Sequence, residues 1–208
     1  MRLFLIAGGP SVADYDLQAL RGHGTVVGVN DAGVLVPGVT VIVTMDRLWT
    51  ENRWDYIREK DALFIVRKNV WNRFAFKIEA DIIQPPEGLR VEALEMDHTQ
   101  STLSLKSEYL NGRNSGFCAF NWAVQKRPQE IYLFGFDMSH PGEQRHWHDP
   151  YPWSLKPKNH YGHWAVDFDE AKPVCDKLGI QVFNCSPTSR IEAFPRLKTM
   201  KSVMEKLK

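Results

Sequence analysis

The chain has 208 residues, of which 43% are hydrophobic, 12% aromatic and 25% charged, with a formal net charge of +1. This composition suits one globular domain and excludes a disordered or fibrous chain, and the near-neutral charge argues against a surface built to neutralise phosphates, so nucleic acid is not an expected partner. No apolar stretch approaches the ~20 residues of a membrane span and the apolar part of MRLFLIAGGPS is too short for a signal peptide, so a soluble, cytoplasmic protein is expected.

The run LFLIA (3 to 7) reads as a first strand, followed at once by Gly8-Gly9-Pro10-Ser11 and a helix-like stretch over 12 to 21. Glycines directly after a strand let the backbone approach a ligand, and the amides opening the next helix can receive an anion; the turn either holds a phosphate or merely joins strand to helix. It is neither GxGxxG nor a P-loop, since no Lys-Ser/Thr follows. The second strand, TVVGVN (25 to 30), ends in Asn30-Asp31, and the third, VTVIVTMD (39 to 46), in Met45-Asp46. Asparagine both donates and accepts whereas aspartate accepts only, which suits ribose hydroxyls or a base edge. Asp31 is better read as a helix cap, leaving Asn30 and Asp46 as candidates at the same end of the sheet as the glycine turn.

A helix over roughly 47 to 59 and a strand ALFIVRK (62 to 68) come next, and residues 70 to 113 hold few clear elements. In GRNSGFCAFNWAVQK, Asn114 or Ser115 can cap a buried helix over 115 to 126 while Ser115 and Gly116 expose amides to an anion. EIYLFGFD (130 to 137) and IQVFNCS (180 to 186) are the last strands. The helix before the latter, 166 to 179, contains Pro173, which should kink or delay it, and stops at Gly179. Several strands are continuously apolar, as parallel strands covered on both faces are. The alternation predicts an α/β fold: a single domain with a doubly wound, mostly parallel sheet that binds ligands beyond the carboxyl ends of its strands.

Residues 138 to 165 are dense in His, Trp, Tyr and Pro and read as an active-site lid. Five of the seven histidines lie there: His140, His146, His148, His160 and His163. Their spacings are compatible with metal ligation, but a histidine general base is the more economical use of such a loop, and no metal is expected. The three cysteines, without metal spacing, read as structural thiols. In the tail RLKTMKSVMEKLK, Leu197, Met200, Val203, Met204 and Leu207 recur at helical spacing among lysines. Such a stripe docks on its own domain or a second subunit in preference to a membrane surface, so a homo-oligomer stays open.

The blocks LIAGGPSV, VGVND, NSGFCAFNWAV, EIYLFGFDMS and NHYGHWAVDFDEAKPVCDKLGIQVFNCSPTS resemble, in order, those of the small bacterial sialyltransferases that use CMP-sialic acid. They are also similar to a wider Rossmann-like set that includes archaeal 6-hydroxymethylpterin diphosphokinases and phage-encoded members. The resemblance spans most of the chain and is most specific from HYGH to NCSPTS. It implies a metal-independent, inverting glycosyltransferase without a cofactor that passes a CMP-linked, sialic-acid-like sugar to a hydroxyl acceptor. It further implies CMP contacts at Gly8, Gly9, Ser11, Asn30, Asn114, Ser115 and Gly116, and His163 as general base; Asp46, standing where the family has an asparagine, suits the ribose or the sugar. The family turn reads Gly-Asn-Gly-Pro-Ser, so one asparagine contact is missing here. The tyrosines that hold the leaving phosphate after the GxD strand are replaced by Met138-Ser139-His140, which leaves Arg145, His146, Tyr151, His160 and Tyr161 as lid candidates for that task. Two alternatives remain: Mg²⁺-dependent diphosphate transfer from ATP to a pterin-like hydroxymethyl compound through Asp46 and Asp137, and a non-catalytic nucleotide-binding module.

Overall fold

The computed structural model of the chain describes residues 1 to 77, 88 to 97, 103 to 139, 146 to 148 and 161 to 208, the side chains of 75 to 77 apart. Among them, seven strands form one sheet: β1 (Arg2–Ile6), β2 (Thr25–Val29), β3 (Val39–Thr44), β4 (Leu63–Arg67), β5 (Arg90–Leu94), β6 (Glu130–Phe134) and β7 (Gln181–Asn184). Their order is β5-β4-β3-β2-β1-β6-β7, and every neighbouring pair is parallel. The helices are α1 (Asp31–Leu35), α2 (Arg47–Ile57), α3 (Lys68–Lys77), α4 (Ser115–Gln125), α5 (Tyr161–Lys177) and α6 (Met200–Lys206). The architecture is the expected α/β, Rossmann-like one.

Both faces of the sheet are covered, which explains the uninterrupted apolar strands. In β1, Leu3 and Leu5 pack with α4 and α5, while Phe4 and Ile6 pack into a second cluster with Ala32 and Val203. Ile131 and Leu133 of β6 join the first face, and Tyr132 and Phe134 the second. A third cluster seats Trp49, Trp54 and Ile57 of α2 against Ile42 and Phe64. Helix α4 is buried from Ser115 to Val124, so its apolar sequence reflects burial on all sides.

Three local expectations are corrected. The stretch 12 to 21 is not one helix but two short 3₁₀ turns, Pro10–Asp14 and Leu17–Leu20, separated by extended Tyr15 and by Asp16, whose carboxylate takes the Gln18 amide at 3.1 Å. Helix α5 starts at Tyr161, earlier than expected, and runs through Pro173; it ends where Gly179 adopts φ 68° and the Ile180 amide reaches back to the Cys175 carbonyl at 2.9 Å. Strand β5 and helix α3 fall in the stretch expected to hold few elements.

The tail forms α6, with Val203 and Leu207 buried and Leu197, Met200 and Met204 packed on the second cluster. Lys206 pairs with Glu130 at 3.3 Å, and Arg2 donates to both Glu130 and the Leu207 carbonyl. Burial pushes the Glu130 carboxyl up, but hydrogen bonds from Arg2, Tyr132 and Lys206 outweigh it and leave it below its ordinary value. The apolar stripe is thus used on its own domain. No described helix is long and apolar enough to cross a membrane.

Candidate functional site

From β1 the chain builds the sheet outward through β2 to β5, then crosses by α4 to β6 on the other side of β1. Such a reversal leaves a crevice beyond the strand ends. A cavity of about 540 Å³ lies there, lined from Gly8 and Gly9 after β1, Asn30 after β2, Met45 and Asp46 after β3, the Arg113–Gly116 segment, and Phe136 to Ser139 after β6.

The glycine turn is shaped by close approach. A Cβ on Gly9 would lie 2.1 Å from Asp137 Oδ2 and 2.4 Å from the Gly135 carbonyl. Two of the turn's amides are already engaged: Gly9 N donates to Gly135 O at 2.9 Å and Ser11 N to Asp137 Oδ2 at 3.0 Å. Ser11 is buried and does not form part of the cavity wall, and its hydroxyl has no partner in hydrogen-bonding geometry. With Asp137 on the Ser11 amide and Gly135 on the Gly9 amide, this turn keeps fewer amides open to an anion than its sequence suggests. Burial pushes the Asp137 carboxyl above its ordinary value, opposed by the Ser11 amide and hydroxyl and the Ser186 hydroxyl, and its Oδ1 meets no donor in hydrogen-bonding geometry.

Asn30 has φ 52° and ψ −127°, a conformation that strains any residue but glycine. It is pinned through its own backbone, N to Val43 O and O from Gly33 N, and by Thr44 Oγ1 donating to Oδ1 at 2.7 Å. Its NH₂ half has no protein partner among the described residues. Asp46 caps α2 by accepting the Trp49 amide at 3.1 Å on Oδ1, and the rest of its exposed carboxylate is unengaged among the described residues. Asp31 is not a cap: it is buried, takes Trp49 Nε1 and Arg53 Nε each at 2.9 Å, and lies 3.5 Å from His148 Nδ1.

The start of α4 carries donors without acceptors among the described residues. Asn114 caps it by accepting the Phe117 amide at 2.9 Å, and Ser115 Oγ accepts the Met45 amide at 3.0 Å, tying the helix to the end of β3. The Ser115 and Gly116 amides have no partner among the described residues, as first-turn amides lack one within a helix, and the buried Asn114 Nδ2 is also unpartnered. Arg47, paired with Glu51, and Arg113, 3.3 Å from Asp167, stand at the rim. Burial pushes the Asp167 carboxyl up, opposed mainly by Arg113 and less by His163.

His146 joins the wall from the lid stretch. Its Nδ1 lies 3.2 Å from the Gly8 carbonyl, which can only accept, so Nδ1 carries the proton in that bond. Trp147 fastens the same segment, its backbone N donating to Gly8 O and its Nε1 to Ala7 O. From the first turn of α5, Tyr161 and Trp164 complete the wall, their rings edge to face at 5.3 Å. His163 lies between them in sequence but is exposed and is not a wall residue. Arg145, Tyr151 and His160, together with His140 and Trp153, lie outside the described residues. Sequence reasoning missed Arg47, Arg113 and Phe136; the two arginines stand beside the recognised Asp46 and Asn114, the one signal that could have found them.

Among the described residues no group of three or more His, Cys, Asp or Glu side chains gathers as a metal site. All three thiols are buried, and burial pushes Cys118 up to about 11 and Cys175 up to about 12, as expected of structural cysteines.

No protein-family model and no curated protein matches the chain. Among solved structures it is similar to the sialyltransferase CST-II in complex with a trisaccharide acceptor and CMP, at TM-score 0.55 and 16% identity over 95% of this chain and 86% of that one. Thiamine pyrophosphokinase from Bacillus subtilis also matches, at TM-score 0.35 and 14% identity over 88% of this chain and 59% of that one. The first likeness is one of fold.

Proposed function

We propose that the chain is a glycosyltransferase that takes its sugar from a CMP-activated, sialic-acid-like donor and passes it to a hydroxyl acceptor. The observation that carries this reading is the cavity at the strand ends, which gathers Asn30, Asp46 and the two free amides of α4 on a fold shared with a sialyltransferase solved with CMP. Its volume falls in the range of ordinary small-molecule sites. The donor phosphate lies on the Ser115 and Gly116 amides, where the helix dipole favours negative charge, and the Asn30 NH₂ and the Asp46 carboxylate take hydroxyls of the ribose or sugar.

The acceptor oxygen attacks the anomeric carbon as the bond from that carbon to the CMP phosphate breaks, with inversion. The electron pair of the broken bond leaves on the phosphate oxygen, and the acceptor proton passes to the imidazole of His163. α5 carries His163 in the same turn as two wall residues, on its solvent-exposed side, from which an acceptor can enter. Charge growing on the phosphate in the transition state is met by the α4 amides, and His146 and Tyr161 stand in the same wall. The lid residues Arg145, Tyr151 and His160 belong to the same proposed task. No step calls for a metal ion.

A thermal-shift panel of CMP, CDP, UDP and ATP, each with and without Mg²⁺, tests the reading. CMP at 100 times its dissociation constant should add ~2.7 kcal/mol of stability, raising the midpoint by roughly 5–11 °C for a chain of this size, with or without Mg²⁺. A response to ATP only with Mg²⁺ would favour diphosphate transfer through Asp46 and Asp137. No response to any nucleotide would favour a non-catalytic binding or assembly module that keeps the fold without nucleotide turnover.

A further inference from the structure

Arg67, the last residue of β4, is buried and takes no part in the cavity wall. Its guanidinium is met by main-chain oxygens: Nε donates to Leu110 O at 3.2 Å and Nη2 to Gly112 O. Among the described residues no carboxylate forms an ion pair with it. A buried cation without a counter-charge is costly, and carbonyl dipoles compensate it only in part.

The two carbonyls belong to the segment that leads directly into Asn114 and α4. Gly112, at φ 143°, is packed so tightly on that helix that a Cβ would lie 2.8 Å from the Cys118 amide. The charge of Arg67 is felt there, since it opposes the upward push of burial on the Cys118 thiol. At the helix start, the Ser115 and Gly116 amides and the buried Asn114 Nδ2 are donors with no acceptor among the described residues. The wall carboxylates Asp46 and Asp137 accept the Trp49 and Ser11 amides, each through one oxygen, and neither takes the donors at the start of α4. A buried positive charge bound to the segment that leads into these donors is an arrangement that an anion would complete.

We infer that Arg67 is the positioning residue of this anion site: it holds the 110 to 112 segment that delivers α4 to the cavity, and its charge, met by main-chain carbonyls and by no carboxylate among the described residues, makes the site favour a phosphorylated ligand over its neutral counterpart. The inference deepens the nucleotide reading and rests on it for the identity of the ligand, not for the presence of an anion.

Calorimetric titration of CMP, cytidine and inorganic phosphate into the wild type, Arg67→Gln and Arg67→Lys tests it. The wild type should bind CMP at least tenfold more tightly than cytidine. Arg67→Gln, which keeps a donor but loses the charge, should lose about tenfold in CMP affinity with cytidine unchanged, and Arg67→Lys should keep most of the CMP-to-cytidine ratio. A purely structural role would weaken both ligands together. The inference is overturned if Arg67→Gln keeps the wild-type ratio or if Arg67→Lys loses as much of it as glutamine does. If the glutamine variant does not fold, the lysine variant decides alone by keeping or losing the ratio. Wild-type protein that binds phosphate but not CMP would sink the nucleotide reading while leaving Arg67 to be judged on phosphate affinity in the same variants; wild-type protein that binds neither overturns both.

Discussion

His163→Ala is expected to lower sugar transfer by about two to four orders of magnitude, the usual share of a positioned general base, while CMP affinity stays at the wild-type value. The separation follows from the position of the residue. His163 is exposed on the first turn of α5, whereas the groups proposed to hold the nucleotide are Asn30, Asp46 and the amides of α4. Removing the imidazole takes away the proton acceptor and leaves those groups untouched. A fall in turnover at unchanged CMP affinity is the signature of an interaction made only in the transition state. Loss of both would place His163 in nucleotide binding instead, and loss of neither would remove it from the chemistry.

Gly9→Ala is expected to unfold the site and cost the whole domain roughly 3 kcal/mol or more, which lowers the midpoint by about 6–12 °C. The added methyl would sit 2.4 Å from the Gly135 carbonyl, which already receives the Gly9 amide, and 2.1 Å from an Asp137 oxygen held by the Ser11 amide. Neither neighbour can retreat without breaking a buried hydrogen bond. The conformation is not the cause, because φ at Gly9 is −64° and any residue adopts it. Gly162→Ala serves as the contrast: among the described residues nothing lies within 4 Å of its would-be Cβ, and alanine is the better helix former, so this variant should be no less stable than the wild type. Measured melting curves for the two variants side by side separate close packing from a general intolerance of substitution at glycine.

Six strands were legible because each is a continuous apolar run ended by turn residues. β5 was not: RVEAL mixes charge with apolar residues, since an edge strand has one neighbour and these residues stay half exposed. The stretch after Ser11 resembled a helix in composition, yet Asp16 satisfies its own downstream amide and breaks it into two short turns. Helix α3 follows β4 with no Gly, Pro or capping residue between them, so nothing in KNVWNRFAFK marks where strand becomes helix.

At the site, Gly8, Gly9, Asn30, Asp46 and the Asn114–Gly116 segment were readable because each follows a strand or opens a helix, and the doubly wound rule sends such positions to one edge of the sheet. What remained hidden depends on which strands are neighbours. That Asp137 would take up the Ser11 amide required β6 to lie beside β1, and that Ser115 would hold the Met45 amide required α4 to pack over the end of β3. Arg67 was invisible for the same reason: its partners are carbonyls 43 and 45 positions away, with no side-chain motif to announce them.

The most direct test is the release of CMP from CMP-sialic acid, followed against the spontaneous rate. The account predicts release above that rate by the wild-type protein, unaffected by chelator, inhibited by added CMP and lost in His163→Ala. Release no faster than the blank by protein that consumes ATP in the presence of Mg²⁺ would contradict it.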